Sequence, residues 1–265
     1  YAETVFCSGW NKMEPLNGEL SFYSLAVYDW TVQQVLSNQT WYLDPGHEYP
    51  IVAPCAGELG ETPMIGFPQD SYDVSEPLTY PAWLVAPDES VLEECERSAV
   101  SAHSLKYGML ADWYPLVPGA DAFVLPSENQ TFAWNKNGYA LGGWPVEYDY
   151  TEDPLGNPVC SPALCDLDGD GFADVLTGTV LDGYWQALAH DRYGYDLSGF
   201  PIILPGCVSN LSGFAVADID LDGNVEVVFG SSDGLLQCWE LGSCDVGYSP
   251  WPQYQCDCGR SGELE

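Results

Sequence analysis

The chain has 265 residues, 46% hydrophobic and 14% aromatic, which suffices for a packed core in one large domain or two small ones. Lys and Arg number 6 against 40 Asp and Glu, a formal net charge of −34. That balance excludes nucleic acid, whose phosphates need clustered cations, and it excludes an anionic membrane surface. It favours bound divalent cations or an acidic, solvated exterior.

Short β-branched and aromatic runs separated by Gly, Pro, Asn and Asp recur along the chain, the pattern of many short antiparallel strands. The first unit, residues 1–48, contains ETVFCSGWNKMEPLNGELSFYSLAVYDW and reads as a sheet entered at its second strand. It carries Cys7 and an N-x-S/T sequon at Asn38. With no initiator Met and no leader, the chain reads as a mature form or a piece of something longer. The second unit, 49–100, keeps the strand rhythm alone and holds Cys55 and Cys95; within it SVLEECERSAV (90–100) is the one stretch of helical character. The third, 101–152, has a strand, a turn, an aromatic strand at Trp134 and a closing Trp144-Pro145. It contains the sequon at Asn129, and it reads as having lost the acidic residues that mark the next two units.

Those two units carry the strongest internal repeat. Residues 165–201, within unit 153–205, and residues 217–252, within unit 206–258, share one order. An acidic loop comes first, then a strand ending at Gly178 or Gly230, an Asp-Gly turn, an aromatic strand (Trp185, Trp239) and an aromatic-Pro close (Phe200-Pro201, Trp251-Pro252). Residues 259–265 form a tail. About five units of roughly 50–60 residues, each with three or four short strands, predict an all-β fold, a β-propeller whose blades cover one another. The aromatic strands are expected to pack between blades.

In CDLDGDGFAD, Asp166, Asp168, Asp170 and Asp174 stand at loop positions 1, 3, 5 and 9, and Phe172 at position 7 offers a backbone carbonyl. The second loop places Asp218, Asp220, Asp222 and Glu226 at the same positions, with Asn224 at 7. Alternate side chains converge when such a loop wraps an ion, and a shell of hard oxygens suits Ca²⁺ at about 2.3–2.6 Å better than the stricter Mg²⁺. An EF-hand needs Glu at position 12 and flanking helices; Thr177 and Phe229 stand there, between strands. The alternative is an empty Asp-Gly turn, in which crowded carboxylates repel and at least one pKa rises.

Ten cysteines (Cys7, Cys55, Cys95, Cys160, Cys165, Cys207, Cys238, Cys244, Cys256 and Cys258) and sequons at Asn38, Asn129 and Asn210 favour a secreted, disulfide-bonded glycoprotein. Cys160–Cys165 and Cys238–Cys244 are plausible local pairs, and the zinc reading is weak because Cys256-x-Cys258 is too close for a knuckle. No run of 18 apolar residues exists to insert in a membrane. GSSDG (230–234) matches a nucleophile elbow but joins two strands, so no catalytic residue is assigned and a non-enzymatic chain is expected.

The D-x-D-x-D-G-x-x-D loop, followed by VLTG or VVFG, then Asp-Gly and an aromatic strand, resembles the FG-GAP/VCBS repeats of integrin-α-type propellers. The match is specific over 160–252 and faint over 1–158. The resemblance implies Ca²⁺ in both loops and an extracellular adhesion or assembly module, with other extracellular proteins or copies of itself as partners. An extracellular filament fits a first unit short of one strand, completed by a neighbour or by the chain's own tail. A lectin-like module binding glycans, or a non-catalytic arm of a polysaccharide-active enzyme, are the alternatives. The resemblance departs in blade count, since such propellers commonly have six to eight.

Overall fold

Runs such as FYSLAVYD, DVLTGTVL and VEVVFG are rich in β-branched and aromatic residues and broken by turn formers, and they build antiparallel sheets. The computed structural model describes residues 4–9, 22–29, 34–42, 55–59, 62–68, 82–85, 92–95, 108–114, 121–127, 130–148, 160–181, 184–204, 213–230 and 234–241. Among them every regular element is a strand.

The first sheet joins β1 (Thr4–Gly9), β2 (Phe22–Asp29) and β3 (Gln34–Tyr42), and the second joins β4 (Cys55–Leu59), β5 (Thr62–Pro68), β6 (Ala82–Val85) and β7 (Leu92–Glu94). The third comprises β8 (Met109–Ala111), β9 (Ala122–Pro126), β10 (Gln130–Trp134) and β11 (Val146–Glu147). The fourth comprises β12 (Ala163–Cys165), β13 (Asp174–Leu181), β14 (Tyr184–His190) and β15 (Ile202–Ile203), and the fifth β16 (Phe214–Ala217), β17 (Val225–Gly230) and β18 (Leu236–Leu241). Strand order follows chain order in every sheet, and each sheet comes from one continuous stretch of chain.

The stretch 90–100 is not helical where it is described. β7 pairs antiparallel with β6, matching Trp83 with Glu94, and the Cys95 N–H donates to the Ala82 carbonyl at 2.9 Å. Eleven residues are too few to repay helix nucleation, and the free edge of β6 offers ready backbone partners.

In the third and fourth sheets burial falls from the first strand to the last. Every residue of β8, β9, β10 and β12 is buried, so these strands are covered on both faces. β18 instead alternates exposed and half-buried. One apolar cluster joins the second and third sheets to Leu164, Ala173 and Val175 of the fourth, and another joins the fourth to the fifth. The first strands adjoin, β4 beside β8 and β12 beside β16. Trp134 stacks on Phe132 at 4.9 Å and lies 5.7 Å from Phe123, while Phe229 is T-shaped to both Phe214 and Trp239. Trp134 and Trp185 are buried in these layers, and Trp239 packs against them in part.

The connections β10–β11 and β14–β15 are copies of one turn. The Asn135 Oδ1 accepts the N–H groups of Asn137 and Tyr139, and the Asp191 Oδ1 accepts those of Tyr193 and Tyr195. Such side-chain acceptors fold the chain back on itself. The two turns interlock. Gly143 has φ +91°, and a Cβ there would lie 1.9 Å from the Tyr193 carbonyl oxygen. Beside it the Trp144 Nε1–H donates to the Arg192 carbonyl at 3.2 Å. Gly143→Ala therefore combines a left-handed backbone penalty with a backbone clash and costs about 2–4 kcal/mol of unfolding free energy. Gly142→Ala, whose Cβ meets nothing within 4 Å, stays within about 0.5 kcal/mol. Urea denaturation of the two variants tests the contrast.

Candidate metal centres

Both acidic loops connect the first strand of a sheet to its second, β12 to β13 and β16 to β17. In loop 1, one carboxylate oxygen each from Asp166, Asp168 and Asp174 lie within 4.8 Å of one another; in loop 2, Asp218, Asp220 and Glu226 do the same. The register explains the convergence. Cys165 pairs with Asp174 and Ala217 with Glu226, so the residue leaving the first strand and the one entering the second stand side by side.

Loop amides orient these carboxylates. The Asp166 Oδ1 accepts the Gly169 N–H at 2.7 Å and its Oδ2 the Gly171 N–H at 2.9 Å. Asp218 accepts the Asp222 and Gly223 N–H groups, both at 3.1 Å. The closing residue takes the amide just past position 1: Leu167 N–H to Asp174 Oδ2 at 2.9 Å, Ile219 N–H to Glu226 Oε2 at 2.7 Å. Gly169 and Gly171 hold φ of 78° and 88°, as the tight path requires; in loop 2 the same two places are Leu221 (φ 66°) and Gly223 (φ 95°).

The donor set fits a hard divalent cation. The Glu226 carboxylate is buried, and its Oε1 has no hydrogen-bond partner among the described residues. A buried acceptor left bare is costly, and a cation at the meeting point of the three carboxylates satisfies it. In loop 1, burial pushes the Asp174 carboxyl up to about 8, reinforced by Asp168, Asp170 and Asp166 and opposed by the Leu167 N–H. Burial also raises Asp166. Both shifts mark negative charge held together out of water.

Not every predicted ligand joins the group. Asp170 is exposed; its Oδ1 accepts the Phe172 N–H at 2.9 Å and its Oδ2 lies 3.5 Å from Arg192 Nη1. Asp222 accepts the Asn224 backbone N–H at 2.8 Å and side-chain Nδ2–H at 3.1 Å. The Phe172 side chain lies under Arg192 and the Asn224 side chain donates to Asp222, contacts that do not involve the backbone carbonyls expected of them as ligands.

The third sheet holds a vestige of the loop that the sequence reading missed. Asp112 leaves β8, Asp121 precedes β9, and the Trp113 N–H donates to Asp121 Oδ2 at 3.3 Å, the bond made by Asp174 and Glu226 in their loops. Burial raises the Asp121 carboxyl, against the Trp113 N–H. The signal was hidden by a spacing one residue longer than in loops 1 and 2 and by the apolar PLVPGA between the two acids.

Among the described residues Cys160 and Cys238 are free thiols. Cys160 is buried against Gly178: its N–H donates to the Gly178 carbonyl at 3.1 Å, and a Cβ on Gly178 would meet its Sγ at 3.0 Å. Burial pushes its thiol well above the usual range. Cys55, Cys95 and Cys165 are buried in the sheets and Cys7 lies on β1, whereas Cys207, Cys244, Cys256 and Cys258 fall outside the described residues. Asn38 lies on β3; Asn129, Asn210 and the Ser232 of GSSDG are also outside. The Thr131 of the Asn129 sequon is buried and bonded to the Tyr148 hydroxyl.

No protein-family model matches the chain, and no curated protein matches it. Among solved structures it is similar to an exotype rhamnogalacturonan lyase, YesX, at 13% identity and TM-score 0.46, covering 87% of this chain and 53% of that one. It is also similar to the Bacillus licheniformis rhamnogalacturonan lyase PL11 at 11% identity and TM-score 0.46, covering 98% of this chain and 63% of that one. The chain therefore spans between half and two thirds of their length. Because both are enzymes, the expectation of a non-enzymatic chain is withdrawn; at this identity and TM-score the likeness assigns no activity.

The Asp174 shift has a definite sign. With cations chelated, the folded state binds a proton between the unfolded carboxyl range near 4 and about 8, and the unfolded state does not. Stability of the chelated protein falls as pH rises through that window, by up to about 1.4 kcal/mol per pH unit. Asp174→Asn flattens the slope, as read by urea midpoints between pH 5 and pH 8 in chelator.

Proposed function

We propose that the chain is a calcium-stabilised β-propeller of the FG-GAP/VCBS type, with sheets as blades, serving as an extracellular recognition or assembly module. The observation that carries this reading is the pair of convergent carboxylate triads, above all the buried, unpartnered Glu226 Oε1. Support for the blades comes from five sequential antiparallel sheets and from first strands that adjoin between successive sheets. Each ion would be held at the turn between a blade's first and second strands, by Asp166, Asp168 and Asp174 in one loop and Asp218, Asp220 and Glu226 in the other. It supplies the positive charge that lets three carboxylates converge at one partly buried corner. These residues hold the ion, and the loop amides hold them.

The acidic surface keeps copies apart unless a cation or a defined edge brings them together. The fifth sheet ends, among the described residues, at the half-exposed β18, and an edge of that kind is suited to strand addition. Calorimetric titration with CaCl₂ gives two sites per chain. Saturation at about 100 times the dissociation constant raises unfolding free energy by about 2.7 kcal/mol per site. Glu226→Gln removes one site or weakens it tenfold or more. Sedimentation of the full chain with and without EGTA reads assembly. A melting temperature and calorimetric trace indifferent to calcium would reject the proposal.

A further inference from the structure

The two loops have nearly the same ligands but different surroundings. In loop 1, the Arg192 guanidinium lies 3.7 Å above the Phe172 ring, 4.6 Å from Tyr193 and 5.9 Å from Tyr114, with the Tyr114 ring edge-on to Phe172 at 5.4 Å. Its Nη1 pairs with Asp170 at 3.5 Å, and its carbonyl accepts the Trp144 indole N–H. The loop is further tied to the third sheet by the Ala173 N–H donating to the Trp113 carbonyl at 3.3 Å. Asp166 and Leu167 are accordingly buried.

Among the described residues, loop 2 has no counterpart of these contacts. Position 7 is Asn224, which has no ring to receive a cation, and no Lys or Arg occurs from 241 to 259, the stretch that follows β18 as residues 191–201 follow β14. Ile219 is 55% exposed and Leu221 85% exposed, the latter with φ 66° where loop 1 has Gly169. A leucine in that conformation is strained and gains nothing from packing.

Resting on the calcium reading above, we infer that Arg192 is the built-in counter-cation and clamp of loop 1. It pairs with the position-5 carboxylate, Asp170, which like Asp222 of loop 2 stands outside the triad, and it staples Phe172 to the neighbouring sheet. Loop 1 therefore keeps its ligand-ready shape without an ion, and calcium dependence resides in loop 2. Arg192 is a positioning residue: it touches the loop, not the ion. A planar guanidinium is required, because a lysine ammonium keeps the charge but does not stack on the ring in the same way.

Amide hydrogen exchange of the full chain, in CaCl₂ and in EGTA, separates the loops. In the unsubstituted protein, exchange over residues 218–226 rises about tenfold or more on chelation, and over 166–174 less than about threefold. Arg192→Ala makes 166–174 respond about as strongly as 218–226; Arg192→Lys lies between, and Asp170→Asn reproduces part of the effect. The comparison of loops needs no variant, so it stands even where a substitution impairs folding. Equal responses of both loops in the unsubstituted protein, or an unresponsive loop 1 in folded Arg192→Ala, overturn the assignment of Arg192 while leaving calcium binding intact. Absence of calorimetric calcium binding to either loop overturns the metal reading and this inference with it.

Discussion

A carboxylate at the foot of one strand accepts the amide N–H that lies just beyond the end of the strand before it. Asp174 does so for Leu167, Glu226 for Ile219 and Asp121 for Trp113. The bond is local and charge-assisted, and it fixes how the link between first and second strands folds back. It also has a consequence for charge. So close to the sheet, Asp174 and Glu226 are buried, and Asp166 and Asp218 at position 1 are drawn beside them. Two carboxylates then share a corner with little water, and a third joins from position 3. Folding at these corners therefore creates a demand for positive charge, met by a cation or by protonation.

The demand falls at a place that matters for the architecture. Loop 1 touches the third sheet through Ala173 and Trp113, and the same joint is closed on its far side by Gly143 packed against the Tyr193 carbonyl. Arg192 belongs to both contacts, its side chain lying over Phe172 and its carbonyl receiving Trp144. Order in the loop and order between the sheets are thus linked through one residue. The link is made of rings, a guanidinium and backbone groups, all stiff, so small displacements in the loop are passed on rather than absorbed.

Much of this was legible from the sequence, and for physical reasons. Period-two runs broken by Gly and Pro can only make strands, and alternating acids before a strand can only converge or repel. The convergence of Asp166, Asp168 and Asp174, and of Asp218, Asp220 and Glu226, was therefore readable. What was not readable depends on neighbours distant in sequence. Asp170 carries the right spacing for a ligand, and its pairing with Arg192, 22 residues on, has no signal in the local sequence. Phe172 looked like a bystander lending a carbonyl because nothing local announces a cation over its ring. Asp112 and Asp121 were passed over because spacing was the only guide, and one extra residue spoils spacing without spoiling geometry. The helical character of 90–100 lost to the free edge of β6, a tertiary partner that no local propensity reports.

The net charge itself does not explain the two acidic corners. Two divalent ions would add four positive charges to a chain at −34, a minor change in the whole. At physiological ionic strength the screening length is about 8 Å, so acids elsewhere on the surface hardly feel an ion in either loop. The effect of a cation is therefore confined to the groups that meet it: three carboxylates, the amides that hold them and the strands they close. That confinement would let an arginine placed on one loop change its response to an ion without touching the other, and it makes the acidic exterior and the acidic corners separate features of the chain.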